Sequence, residues 1–394
     1  MKTTELAKYS LIALVLFMAS TSFMLIRHDK PDQKYLDFGN SKDFNSLAIF
    51  ADGNGTLIHP QWILTAAHIA DDQKPGSSVF INGKEYEVVE IKIYPQLYNE
   101  DLFKKNDIGL IKLSKEVTDV IPAEYATSNP SKGTKLYLAG NGDTGHGSSG
   151  PTKKDRQVRA GTNTLDSLSE RFISFEFNQP SSNKATDLEI APGPGDSGGP
   201  AYIKANGKMI VVGVSSFEIA ESRNSEGRYG NRNFYPNVSY YSDWIRETIN
   251  GNLYYKTQID NKEVSLIRKP TPTGSSNILR VNGQKPPVEE IIKYSEIIEN
   301  QLAEIERGKT DRGHEAVDPN NPQIAFFQFV QKLAETELNI YDVQKAGGFV
   351  LNKNELIIGD KTLSDEARLK TLKKYEELFG QPLGNQQINA RPRN

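Results

Sequence analysis

Residues Pro192–Pro200 read PGPGDSGGP, with glycine or proline at seven of the nine positions. A core strand is not written this way, because glycine and proline weaken or interrupt a ladder. Glycines on both sides of Ser197 let the chain turn tightly, bring backbone N–H groups toward a reacting carbonyl and leave the hydroxyl exposed. A bare Ser-Gly pair is an ordinary surface turn. The whole GDSGGP string reads instead as the seat of a nucleophile.

Outward from it, from about Tyr35 to Asn250, the chain consists of short apolar runs divided by Gly, Asn, Asp and Pro. Ser46–Phe50, Tyr86–Ile93, Ile108–Leu113, Lys135–Ala139, Phe172–Phe177 and Met209–Val214 read as strands. No strand is followed by the helical period that a parallel βαβ sheet needs, so the pattern is all-β, a sandwich or barrels. Asp243–Ile249 reads as a short closing helix.

A serine hydroxyl is a weak nucleophile at neutral pH and needs an adjacent base, usually histidine, held in one tautomer by a carboxylate. His68 ends the run GTLIHPQWILTAAH, in which Trp62–Leu64 read as a buried strand and Ala66-Ala67 allow a tight turn. Asp107 precedes the apolar strand IGLIKL. Taken singly, each is more often a structural residue. His59, His146 and His314 read as structural or solvated loop positions.

Composition narrows the chemistry. The 31 glycines and 20 prolines, together 51 of 394 residues, fall well below the roughly 25–30 % of low-complexity chains, so the protein folds. With 47 basic and 50 acidic residues, the net charge of −3 offers no global attraction to phosphate backbones and argues against nucleic acid as a partner. The absence of cysteine removes a disulfide framework, a thiolate zinc site, a cysteine nucleophile and a lipid-modified cysteine. The five histidines are too scattered for a metal motif, so no metal or other cofactor is expected.

Together TAAH around His68, NDIGLIKL around Asp107 and GDSGGP around Ser197, in that order, resemble the trypsin/chymotrypsin-like serine protease family. AGNGDTGHGSSG, RAGTNTLDS, GVSSF and YGNRNFYPNVSYYSDWIRETI extend the likeness over about Ser46 to Ile249, and it is to secreted bacterial members without disulfides. The resemblance implies two six-stranded antiparallel β-barrels, with His68 and Asp107 from the first and Ser197 from the second. It implies that His68 takes the proton of Ser197, that Asp107 orients His68, and that the N–H groups of Gly195 and Ser197 form the oxyanion hole.

The departures bear on specificity and activation. Ala191 stands where the family's pocket floor carries an aspartate for basic side chains, which makes such a preference doubtful. By the same comparison Ser216 and Phe217 line the substrate-backbone groove, Glu218 stands at the pocket mouth and Asn233 on its wall. Glu218 either narrows the pocket or attracts a cation. Asp196 is the residue that family members pair with a newly cut N-terminus. No RIVGG-like segment exists here; cleavage near Tyr35, exposing Leu36, and order without cleavage are both open, and Asp196 is expected to have a different partner.

Residues 1–30 read as a signal peptide or an N-terminal membrane anchor: Lys2 and Lys8 precede the apolar stretch Leu11–Ile26, and small residues suggest cleavage near Ser22. The protease domain is placed at 35–250, a Pro/Gly/Ser-rich linker at 251–287 and a helical region of unknown role at 288–394. In that last region Ile291, Tyr294, Ile298, Leu302 and Ile305, then Phe326, Val330 and Leu333, then Leu369, Leu372 and Phe379 form apolar stripes, with Thr362 and Asp365 as a start signal. These helices are candidates to bind a protein partner or cap the cleft. The reading is an exported serine endopeptidase, secreted, periplasmic or membrane-anchored, acting on polypeptide. Its rivals are a catalytically silent binding module and a hydrolase of small esters or amides.

Overall fold

Strands Leu47–Ile49, Asn54–His59, Trp62–Thr65, Gly109–Leu113, Lys84–Ile93 and Ser78–Ile81 pair in that order and close into a six-stranded barrel. Its interior is aliphatic: Leu57, Ile63, Leu64, Val79, Val88, Leu110, Ile111 and Leu113 are wholly buried. Each such side chain stabilises the fold by about 1.5–3 kcal/mol. The computed structural model describes residues 24–95, 106–153, 155–220, 227–272, 274–311, 330, 349–351, 354–358, 361–379 and 388–390. The chain divides into two units, Met1–Gln301 and Leu302–Asn394.

All six strands expected from the sequence form, within two residues of their expected ends. The second half of residues 24–250 is less regular than a single closed ring. Arg159–Thr164, Lys135–Gly140, Pro200–Ala205, Lys208–Val214 and Glu124–Tyr125 make a five-stranded sheet, while Ser167–Leu168, Phe172–Glu176, Arg232–Pro236 and Phe217–Ile219 make a four-stranded one. A third sheet joins Gly150–Lys153, Thr144–His146, Leu25–Ile26 and Ile190–Ala191. Single-residue bridges, Thr162–Glu189 and Gly213–Asn237, link them. The closing helix is longer than expected, Val238–Ile249, because Val238, Tyr241 and Ile245 share one buried face.

The N-terminal boundary needs correction. Met24, Leu25 and Ile26, which the hydropathy pattern assigns to the leader, are buried to within 2 %, and Leu25–Ile26 form a strand paired with Ile190–Ala191. Helix Asp32–Gly39 follows, and Tyr35 within it is fully buried with its hydroxyl donating to the Glu189 carbonyl at 3.2 Å. The fold therefore includes Met24–Lys34, ahead of the boundary expected near Tyr35. Residues 1–23 lie outside the described part. Among the described residues no helix is long and apolar enough to cross a membrane.

Residues 251–287 are not a linker. Leu253–Ile259, Lys262–Thr271 and Gly274–Val281 form a three-stranded antiparallel meander. Its first hairpin turns on Asp260 and Asn261, both with positive φ, the two-residue geometry that matches strand twist. Alternation in Tyr255, Thr257 and Ile259 and in Val264 and Leu266 carries the strands, a signal masked by the prolines downstream. Lys256 lies over the Tyr240 ring at 3.7 Å, fixing the meander to the closing helix. Helix Val288–Asp311 follows, with Lys262 and Lys293 paired to Glu290 and Asp260.

In the second unit the expected helical region also contains a four-stranded sheet of Lys361–Thr362, Leu356–Ile358, Phe349–Leu351 and Ile388–Ala390. Helix Asp365–Phe379 is capped by Ser364, whose hydroxyl accepts the Ala367 N–H at 3.2 Å, and not by Thr362. Its buried face carries Ala367 and Thr371, whereas Leu369 is 58 % exposed. Of the second apolar stripe, Phe326 and Leu333 lie outside the described residues, as does His314.

Candidate active site

Asp107 and His68 meet because the strands that carry them are neighbours. Thr65 pairs with Gly109 across the first barrel, so the chain leaving Thr65 toward His68 and the chain entering Gly109 from Asp107 share one end of the sheet. Asp107 Oδ1 accepts the His68 backbone N–H at 3.1 Å, and its two oxygens lie 3.0 and 2.9 Å from His68 Nδ1. The Ser216 hydroxyl donates to Asp107 Oδ2 at 2.5 Å. Burial works to raise the Asp107 carboxyl, but the hydrogen bonds and charge of His68, with the Ser216 hydroxyl, outweigh it and hold the pKa below its ordinary value. The His68 side chain is 45 % exposed and that of Asp107 only 14 %, which opens the imidazole to a reactant and shelters the carboxylate.

Asn106, next to Asp107, fixes the approach: its Oδ1 accepts from the Tyr241 hydroxyl at 2.9 Å and from Arg171 Nη1 at 3.1 Å.

The Ser197 turn comes from the other half and seats on the same strand ends. Gly198 has φ +77°, and a Cβ there would fall 2.2 Å from both the Asn54 carbonyl and Thr65 Oγ1. Only glycine permits that approach, which sets the turn against Thr65 and Ala66, just before Ala67 and His68. The turn's hydrogen bonds leave two donors over. Gly193 N–H goes to Asp196 Oδ2, Asp196 N–H to the Gly193 carbonyl, Gly198 N–H to Ser215 and Gly199 N–H to the Asp196 carbonyl. Gly195 and Ser197 N–H have no acceptor among the described residues. The two N–H groups stand two residues apart on one turn, and a developing oxyanion is stabilised by N–H donors of this kind.

Asp196 is 1 % exposed and is held by backbone alone: Oδ1 accepts Gly142 N–H at 2.6 Å and Oδ2 accepts Gly193 N–H at 2.9 Å. A Cβ on Gly142 would lie 2.1 Å from this carboxyl carbon, so a side chain there is excluded. Burial pushes the Asp196 carboxyl up to about 8, against the two N–H groups that lower it. Leu36 lies within the helix Asp32–Gly39. The strand Leu25–Ile26 pairs with Ile190–Ala191 and with Gly145–His146, and Gly140 faces both Asp196 Oδ1 and the Met24 sulfur.

The remaining sequence candidates surround the same turn. Ala191 is fully buried opposite Leu25. Phe217 stacks on Phe234 with ring centroids 4.9 Å apart and meets Phe172 edge-on at 5.5 Å. Glu218 is turned to its own loop, accepting Gly227 N–H and Asn231 Nδ2 at 3.0 Å each. Asn233 lies opposite Glu218 and Phe175 in the sheet, is fully buried, and has no partner for either amide atom among the described residues. His146 is exposed; His59 ends its strand and accepts Gln61 N–H at 3.3 Å.

Sequence reasoning missed three contributors. Ser216, assigned to the substrate groove, also donates its hydroxyl to Asp107; the adjacent serines in GVSSF leave open which of them faces the carboxylate. Arg159, fully buried, is clamped by Asp32 at 2.6 and 2.7 Å and by Asp155 at 2.9 and 3.0 Å, tying the N-terminal helix to the second half. Nothing in RAGTNT marks an arginine with such partners, which lie 127 and 4 residues away. Asn54 contacts the Ser197 turn directly. Residues 41–245, just over half of the chain, match the family model described as Trypsin. With its six-stranded barrel and a domain of serine-protease type, this chain belongs to the trypsin family.

Proposed function

We propose that residues 24–250 are a serine endopeptidase that cleaves polypeptide through an acyl-enzyme on Ser197. The observation that carries this is the pairing of His68 Nδ1 with Asp107 at 2.9 Å, beside a turn whose Gly195 and Ser197 N–H groups are unpaired. With Nδ1 committed to the carboxylate, Nε2 is the nitrogen that takes the Ser197 proton as the hydroxyl attacks. The carbonyl oxygen becomes an oxyanion facing Gly195 and Ser197, and His68 then protonates the leaving amine. Water repeats the sequence on the ester and releases the acid. Asp107 stays ionised throughout and stabilises the imidazolium.

An uncharged side chain fits the primary pocket best, because Ala191 supplies a methyl where a carboxylate would select Arg or Lys, and Asn233 supplies a neutral amide. Export follows from the charged and apolar leader of residues 1–23. Removal of that leader at the Phe23–Met24 bond would place an α-ammonium at Met24, near the Asp196 carboxyl that burial otherwise holds up to about 8. An uncleaved leader would instead tether the protease outside the cytoplasm.

Labelling with a fluorophosphonate tests the reading, since reaction requires both an activated hydroxyl and a formed oxyanion site. The expected result is one label per chain on Ser197, lost in Ser197→Ala and His68→Ala. A chain with an authentic Met24 terminus that stays folded and takes no label would make the protein a silent relative.

A further inference from the structure

The turn from Gly193 to Ser197 must be held still although it contains two glycines among five residues, and its carbonyls show how. The Gly193 carbonyl accepts Asp196 N–H, the Pro194 carbonyl accepts Asp143 N–H at 2.8 Å, the Asp196 carbonyl accepts Gly199 N–H and the Ser197 carbonyl accepts Asn54 N–H at 2.8 Å. All four ties are backbone to backbone and survive most substitutions. The Gly195 carbonyl is the exception: its partner is a side chain, Asn54 Nδ2, at 3.0 Å. Gly195 has φ +85°, a conformation that costs glycine little to leave, so the peptide after it is held at its N–H end by the Gly193 carbonyl and at its carbonyl end by Asn54 Nδ2.

We propose that Asn54 is a positioning residue for the oxyanion site, pinning the Gly195 carbonyl so that the flanking N–H groups of Gly195 and Ser197 stay turned toward the reacting carbonyl. The inference rests on the serine-endopeptidase reading above. A carbonyl can only accept, so the atom facing Gly195 is the amide nitrogen, and the orientation of the Asn54 side chain follows from chemistry. That orientation leaves Asn54 Oδ1 buried without a donor among the described residues, in a residue that is wholly enclosed. A buried acceptor with no partner destabilises a fold. Asn54 therefore offers stability little, and what it does supply is the geometry of the turn. Its backbone N–H bond to Ser197 and the bond from Thr65 Oγ1 to its carbonyl at 2.6 Å hold the residue in place whatever its side chain.

This separates activity from stability in a way a packing residue would not. In the full chain, Asn54→Ala removes both the pin and the orphaned acceptor. Loss of a whole oxyanion donor costs on the order of 10²–10³ in rate, and tilting the pair costs less, about tenfold in kcat. KM should be unchanged, the melting temperature equal or higher, and affinity for a peptide boronate, which forms a tetrahedral adduct on the serine, reduced by the same factor as kcat. Asn54→Asp keeps the shape but turns an acceptor onto the carbonyl, and should fall further than the alanine variant; it also serves should Asn54→Ala fail to fold. A folded Asn54→Ala or Asn54→Asp protein with wild-type kcat and boronate affinity overturns the proposal, and so does a change confined to KM. If wild type itself takes neither boronate nor fluorophosphonate, the endopeptidase reading fails first and this one with it.

Discussion

In the first barrel the fully enclosed side chains run from Leu57 to Leu113 and are aliphatic, and its buried polar residues, among them Asn54, Thr56 and Thr65, are neutral. In the second half Arg159, Glu189 and Asp196 are buried within 1 % of full enclosure, and single bridges join three sheets. Apolar burial is non-directional and insensitive to pH, which suits a frame that must present His68 and Asp107 at fixed strand ends. Directional, titratable ties suit a half that must bring the N-terminal segment, the Ser197 turn and the pocket strands into register. The difference implies that activity and pH sensitivity can be altered on opposite sides of one cleft.

The sharpest break of that comparison lies on the frame side. Asp107→Asn keeps the shape but allows the wrong imidazole tautomer, and kcat should fall on the order of 10⁴-fold with the fold retained. Steady-state kinetics beside a melting curve would check it. A loss of folding equal to the loss of rate would mean that Asp107 is part of the frame's stability and not of its chemistry.

Much of the frame was legible from residues alone because its signals are local. Alternation in Tyr86–Ile93 and the apolar run Ile108–Leu113 mark strands without reference to anything distant. The His68, Asp107 and Ser197 segments were found by their conjunction, each being ordinary singly. What stayed hidden was long-range: Asp32 reaching Arg159, Asn54 reaching Gly195, Met24 and Asp196 both facing Gly140. The meander at 253–281 was obscured because Pro270, Pro272 and Pro286 outweighed the alternation of Tyr255, Thr257 and Ile259. The three apolar residues Met24–Ile26 read as leader because hydropathy cannot distinguish a lipid-facing residue from one that enters a protein core.

On the titratable side, Arg159→Met removes one partner of two carboxylates. A fully buried pair broken this way costs roughly 3–5 kcal/mol, but Asp32 is 38 % exposed, so about 2–3 kcal/mol is expected. The helix Asp32–Gly39 should loosen first, seen as faster amide exchange there than in the first barrel. Uniform loosening of both halves would remove the distinction drawn between them.

A more diagnostic effect, read as a slope against pH, concerns Asp196 in a chain that retains Phe23. Its carboxyl is raised from 3.8 to about 8 by burial. Between those values the folded chain keeps a proton that the unfolded chain has lost. Stability therefore falls as pH rises across that window, by up to about 1.4 kcal/mol per unit, and levels off above about 8. Asp196→Asn should flatten this slope. Removal of residues 1–23 should reduce it as well, because an ammonium at Met24 favours the ionised carboxylate. A slope identical before and after removal would show that Met24 does not serve as the partner of Asp196.

The smallest effect expected is that of Ser216→Ala. Its hydroxyl is one of several donors to Asp107, and the two His68 groups remain when it is gone. A hydrogen bond to a charged group contributes about 1.5–3 kcal/mol, but water can replace part of it at a carboxylate that is 14 % exposed, so a five- to tenfold loss in kcat, about 1 kcal/mol, is expected. The acidic limb of the pH–rate profile gives the direction: the hydroxyl helps lower the Asp107 carboxyl, so its loss lets that pKa rise and moves any Asp107-dependent fall in rate to higher pH. An unshifted acidic limb with full kcat would return Ser216 to the substrate groove, where its place in the sequence first put it.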